Sequence, residues 1–184
     1  MDIMKKGLVY VCGAVIMSTI ACTEVNDYYP FAEGNTWVYQ DSAMSATDTI
    51  VTFYETEITG HRQMHNKDLW VRVTTLSDGQ CDTTYLEEYN NYVFLYINDY
   101  DTIPDTLLSL PLEQGKTWTV NYLTIATVKE KLIISVPAGT FFDCWRIDYN
   151  HDEYYFAPDV GMVKMVHWCS LIDNIREMVS YTAR

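Results

Sequence analysis

The sequence predicts an all-β domain: one antiparallel, strongly curved sheet of about ten strands with little helix, shaped as a half-barrel, a barrel or a sandwich. Three observations carry this. Polar and apolar residues alternate with a period of two through much of the chain, as in "DTIVTFYETEIT" from Asp48 to Thr59. Turn chemistry recurs at short intervals, at Gly34-Asn35, Asp78-Gly79, Asn90-Asn91 and Pro158 to Gly161. Fifteen Tyr, five Trp and six Phe in 184 residues supply side chains that suit a half-buried sheet surface, with the ring packed and the polar end wet.

Each element follows from local pattern. Pro30 stops regular structure, Gly34-Asn35 turns the chain, and Trp37 to Gln40 alternate as a first strand. In the second, Ile50, Thr52, Tyr54, Thr56 and Ile58 share one face. "GHRQMHNKD" (60–68) reads as a loop. Leu69, Val71 and Val73 then oppose Trp70, Arg72 and Thr74 in a third strand. "CDTTYLEEY" and "YVFLYIN" flank the Asn90-Asn91 turn. Pro104 and Pro111 exclude a central strand, so residues 98–115 read as an ordered crossover, with room for a short helical turn. "TWTVNYLTIATV" and "EKLIISV" resume strands, "PAGTF" turns, and "FFDCWRIDYN", "EYYFA" and "MVKMVHWCS" continue the meander. The tail "LIDNIREMVSYTAR" fits a helix face or a strand. Its hairpin-linked neighbours favour the strand, with Asp173-Asn174 as the turn.

Ahead of this domain stand Lys5 and Lys6, an apolar run from Gly7 to Ile20, and Ala21-Cys22. The run is shorter than the roughly 20 residues a bilayer-spanning helix needs. A basic start, a short apolar centre and small residues before the cut define an export signal. "STIAC" resembles the bacterial lipobox, whose cysteine is lipidated and becomes the first residue; Thr19 departs from the usual Leu. The expected organisation is a lipoprotein signal at 1–21, a tether at 22–27 with lipidation at Cys22, and a single domain at 28–184. A plain secretory signal or a core helix are the other readings of the same run.

Charge excludes one class of partner. The chain has 12 Lys+Arg against 25 Asp+Glu; without residues 1–21 the balance is 10 against 24. Nucleic acid needs a basic surface and is not an expected partner. Cys81, Cys144 and Cys169 remain in the domain, an odd number that leaves at least one thiol free or bonded to another chain. Buried reduced thiols are the expectation.

Four blocks carry a resemblance: "YYPFAEGNTWVY" (Tyr28–Tyr39), "LPLEQGKTW" (Leu110–Trp118), "VPAGTFFDCWRI" (Val136–Ile147) and "YYFAPDVGMVK" (Tyr154–Lys164). Together the chain resembles a family of Bacteroides-type envelope lipoproteins with a Pro…Gly-Asn-x-Trp-x-Tyr start and Pro-Ala-Gly-x-Phe and Ala-Pro-x-Val-Gly-x-Val-Lys blocks. The resemblance implies an antiparallel sheet module with no established activity, and it brings no catalytic residue. Physically the blocks are turn punctuation beside aromatic strand residues.

No residue pattern commits to catalysis. His61 and His65 are four apart, a metal-ligand spacing on a helix, but they follow a strand and Gly60, and the zincin Glu is missing. His151, Asp152 and Glu153 sit at a hairpin turn, where neighbouring strand residues point to opposite faces. His167 and Cys169 share a strand face that Cys144 could oppose, a spacing compatible with a nucleophile pair, although a buried thiol is the simpler reading. Glu87-Glu88 cannot be assigned as a glycosidase pair without geometry. Trp70, Tyr85, Tyr92 and Tyr96 are the candidate ligand-facing aromatics, suited to stacking on a glycan or enclosing an apolar ligand. No metal and no cofactor are expected. The expected function is a non-enzymatic binding or assembly module of the bacterial cell envelope. It would be held on the membrane through Cys22, at the outer membrane on its periplasmic or surface face, with a glycan, an apolar ligand or an envelope protein as partner. A lipocalin-like carrier of an apolar ligand and a polymer hydrolase are the alternatives.

Overall fold

In the computed structural model the described residues are 27–44, 47–168 and 173–183. The signal segment, Cys22 and Cys169 lie outside them. The elements are β1 (Thr36–Met44), β2 (Thr49–Met64), β3 (Lys67–Leu76), β4 (Cys81–Tyr89), β5 (Tyr92–Tyr96), β6 (Asp105–Ser109), β7 (Thr117–Thr119), β8 (Ile125–Val136), β9 (Gly139–Tyr149), β10 (Asp152–Ala157), β11 (Gly161–His167) and β12 (Asp173–Thr182). No helix occurs among the described residues.

The twelve strands form one antiparallel sheet in which strands adjacent in the chain pair, except β6 and β7, and β1 pairs with β12. This is an up-and-down meander nearly closed into a barrel. Its seam lies between β6 and β7, where Thr106 N–H donates to Val120 O at 2.9 Å and Trp118 Nε1 donates to Thr106 O at 3.0 Å.

Sequence expectations hold for the barrel-like all-β class and for several turns. Asn90 and Asn91 both take positive φ, as a two-residue hairpin turn demands. The structure corrects others. The expected loop at 60–68 is instead the second half of β2 and the start of β3. Gly60, at φ +134°, forms a bulge rather than a break, and the turn is His65-Asn66, both at positive φ. The expected crossover contains β6, an end strand of the sheet that begins just after Pro104, so the proline removes no ladder donor. The stretch 117–128 divides into β7 and the start of β8. Asn121 Oδ1 accepts from the backbone N–H groups of Leu123 and Thr124, which folds the chain between them. The tail is a strand, as favoured, but Asp173 and Asn174 lie within β12 and pair with Met44 and Ala43.

Side chains from the inner sheet face form the core. Ile58, Leu86, Leu108, Ile147, Val163 and Met178 are fully buried, each contributing about 1.5–3 kcal/mol of apolar burial. An N-terminal strap closes one end of the barrel. Tyr28 and Tyr29 are buried, and Tyr29 packs on Phe31, which stacks on Trp70. The strap is tied to the β10–β11 turn, where Asp159 N–H donates to Asp27 O at 2.6 Å and Trp37 Nε1 donates to Val160 O at 2.7 Å. A second cluster of Met64, Leu69, Tyr85 and Tyr96 covers the outer face of β2 to β5.

Candidate functional site

Cross-strand register builds a chamber inside the barrel. Tyr39 faces Tyr54 and Asp41 faces Thr52 across β1 and β2, while Thr56 and Ile58 face Thr74 and Arg72 across β2 and β3. With Arg176 of β12 and Tyr154 of β10, these residues except Ile58 border a cavity of about 360 Å³. Small-molecule sites span about 300–1,000 Å³, so this one suits a compact ligand or the end of a longer one.

Burial shows which way the cavity opens. Its residues toward the strap, Tyr29, Trp37, Tyr39 and Phe156, are buried. Thr52, Leu76 and Asp82, at the far end, are exposed. Because the strands alternate in direction, the β3–β4, β5–β6, β7–β8 and β9–β10 connections lie at that open end, together with the end of β1 at Met44, the start of β2 at Thr49, the end of β11 at His167 and the start of β12 at Asp173. These connections carry the large exposed apolar side chains Ile97, Tyr100, Ile103, Tyr122 and Leu123, and Ile50 is exposed at the start of β2.

Two guanidinium groups enter the cavity and differ in kind. Arg176 makes a two-pronged ion pair with Asp41, Nε to Oδ1 at 2.7 Å and Nη2 to Oδ2 at 2.8 Å, and lies 4.4 Å from the centre of the Tyr54 ring. Burial by itself would lower the Arg176 pKa; the Asp41 hydrogen bonds reverse this and raise it. Arg72 instead donates from Nη1 to Tyr29 Oη at 2.6 Å and from Nε to Thr84 Oγ1 at 2.9 Å. Among the described residues no carboxylate lies within ion-pair distance of it. Burial raises the hydroxyl pKa of Tyr39, Tyr54 and Tyr154, and the charges of Arg72 and Arg176 partly offset this at all three. Tyr39 Oη donates to Met162 O at 2.8 Å, whereas the buried Tyr54 hydroxyl has no hydrogen-bond partner.

The aromatics singled out in the sequence do not border this cavity. Trp70 is on the inner face, stacked on Phe31 and 3.7 Å from the His61 ring centre. Tyr85 and Tyr96 are buried in the outer cluster, with Arg62 over the first ring and Lys67 over the second. Tyr92 stacks on Phe94 on that same outer side. The histidine candidates are dispersed. His61 belongs to β2 and pairs with Asp68 at 3.5 Å, while His65 occupies a turn. His167 Nδ1 pairs with Asp152. Cys144 is fully buried, its thiol pushed up to about 11 by burial, and Cys81 is exposed. Glu87 accepts from Lys67 Nζ at 2.8 Å and from Tyr96 Oη at 2.9 Å. Among the described residues no group of three His, Cys, Asp or Glu side chains is arranged to hold a metal.

Fold and cavity define a nearly closed up-and-down β-barrel with a small-molecule-sized chamber. Two solved structures share this fold. One is an inferred lipoprotein of Parabacteroides distasonis, 13% identical, covering 86% of this chain and 100% of its own, with a TM-score of 0.56. The other is an inferred exported protein with a YmcC-like fold from Bacteroides fragilis, 12% identical, covering 85% of this chain and 99% of its own, also with a TM-score of 0.56. At such identity the likeness extends to the fold alone. No protein-family model and no curated protein matches the chain.

Proposed function

We propose that this chain is a lipoprotein of the bacterial cell envelope, anchored through Cys22, whose barrel is a non-enzymatic binding module with the interior cavity as its site. The observation that carries the binding reading is the cavity of about 360 Å³, closed at the strap and open at the opposite end. A module serving only as a scaffold would have a filled core. The non-enzymatic part is supported by the lining, which holds no histidine, cysteine or lysine, and by Asp41, whose two oxygens are held by Arg176. Export and anchoring are supported by the basic start, the short apolar run and Ala21-Cys22, and by the inferred lipoprotein among the fold neighbours.

Native mass spectrometry of the protein purified from its own envelopes tests the binding reading. A small molecule should be retained by wild type and lost in Thr74→Trp, which places an indole in the cavity. An empty wild-type barrel, or equal retention in the variant, would count against it. Labelling with a radioactive fatty acid tests the anchor: Cys22→Ala should carry no label, and label at the wild-type level would refute lipidation at Cys22.

A further inference from the structure

Four charged residues line the cavity, and two of them, Arg72 and the exposed Asp82, make no ion pair among the described residues. A guanidinium has five N–H donors. Arg72 commits one to Tyr29 and one to Thr84, both uncharged acceptors, and is itself half-buried. Removing a cation from water without an anion nearby is costly, and a planar guanidinium with free donors matches an oxyanion in two-pronged geometry. Arg176 does not offer this, because Asp41 already holds it in that manner. A second unfilled group lies in the same wall: the Tyr54 hydroxyl is buried without a partner, and a buried donor left unmade costs about 1–3 kcal/mol.

Apolar surface leads outward from these polar groups. Leu76, Leu95 and Leu107 border the cavity, and the adjoining β5–β6 connection exposes Ile97, Tyr100 and Ile103 at the open end. Thr52 and Asp82 stand at the mouth beside Leu76, so polar and apolar groups both reach the rim.

We infer that the cavity receives an anionic amphiphile, with a carboxylate or phosphate on Arg72 and Tyr54 and the apolar body along Leu95 and Leu107. The inference rests on the binding reading above and adds the chemistry of the ligand. Asp41 and Asp82, which border the same space, set the limit on charge: Asp41 is neutralised by Arg176, and Asp82, exposed and diagonal to Arg72 across β3 and β4, makes no ion pair with it.

Isothermal titration calorimetry of the purified protein with four twelve-carbon probes tests this: dodecanoate, dodecyl phosphate, dodecanol and dodecyltrimethylammonium, each below its micelle concentration. The two anions should bind about tenfold or more tightly than the alcohol and the cation, the weight of one charge-assisted hydrogen bond. Arg72→Gln should erase that preference, Arg72→Lys should keep much of it, and Thr74→Trp should weaken all four. Equal binding of all four probes, abolished by Thr74→Trp, would leave the cavity as a binding site and overturn the anionic head. No binding of any probe would overturn the inference, while a native ligand displaced by Thr74→Trp would still uphold the site. Should Arg72→Gln fail to fold, the wild-type ranking decides: dodecanol or the cation binding as tightly as the anions refutes the inference.

Discussion

Replacing Gly161 first with alanine and then with valine separates two costs that the structure places at one position. Gly161 opens β11 at φ +99°, a conformation side chains of L-residues rarely adopt. A β-carbon there would sit 3.6 Å from Trp37 Nε1 and 3.7 Å from Pro30 Cδ, ordinary contact distances. Alanine therefore adds backbone strain and no clash, and should cost about 1–3 kcal/mol. Valine adds two methyl groups against Trp37 and the strap, and overpacking of this kind costs about 1–3 kcal/mol more. Gly139, at φ +141° with nothing within 4 Å of a built β-carbon, is the control: alanine and valine there should show strain without the packing increment. Urea unfolding followed by tryptophan fluorescence measures all four variants. Equal cost for alanine and valine at Gly161 would mean that the strap does not pack on this turn. A neutral Gly161→Ala would refute the positive-φ assignment itself.

Three further outcomes follow from the same coordinates. Asp41→Ala should destabilise by about 1–3 kcal/mol in urea unfolding, below the 3–5 kcal/mol of a fully buried pair because both side chains keep roughly 30% of their exposure; adding Arg176→Met should recover part of the loss. Burial, with the nearby Asp159 charge, raises the Asp27 pKa above the ordinary 3.8 despite the Tyr29 N–H bond. The stability linked to Asp27 is therefore complete below that value and is lost as pH rises through the folded-state pKa, so Asp27→Asn should raise the melting temperature at pH 7 and give no gain below pH 3.8. In thiol titration of the native protein, Cys81→Ser should remove a fast-reacting group, whereas Cys144→Ser should leave the fast count unchanged because that thiol is buried and pushed up to about 11. A fast-reacting Cys144 would contradict its placement in the core.

Barrel class and most turns were legible because their chemistry is local. Asn-Asn and Asp-Gly turns need positive φ wherever they occur, and two-residue alternation survives in any antiparallel sheet. Gly60 was misread because a glycine that bulges a strand and one that ends it look alike in sequence; the difference is whether Leu69 and Val71 continue the pairing on the far side. The cavity was not legible, for a related reason. In β3 the face of Leu69, Val71 and Val73 is the more apolar one, and it suggests a core. That face instead joins the outer cluster with Tyr85 and Tyr96. With apolar residues on both sides, alternation cannot say which is inside. The available signal was Arg72, a lone cation flanked by Trp70 and Thr74 on a face shared with ordinary core residues.

The strap and the open mouth lie at opposite ends of the barrel, and this sets a direction. Asp27 is fastened to the β10–β11 turn at the closed end. Four residues lie between it and Cys22, five steps along the chain with a fully extended reach of at most about 17 Å. With Cys22 lipidated as proposed, the bilayer would lie on the closed side and the mouth would face away from it. A ligand of the proposed site would then enter from across the compartment and not sideways from the anchoring membrane, and the anchor would serve as a mooring and not as the source.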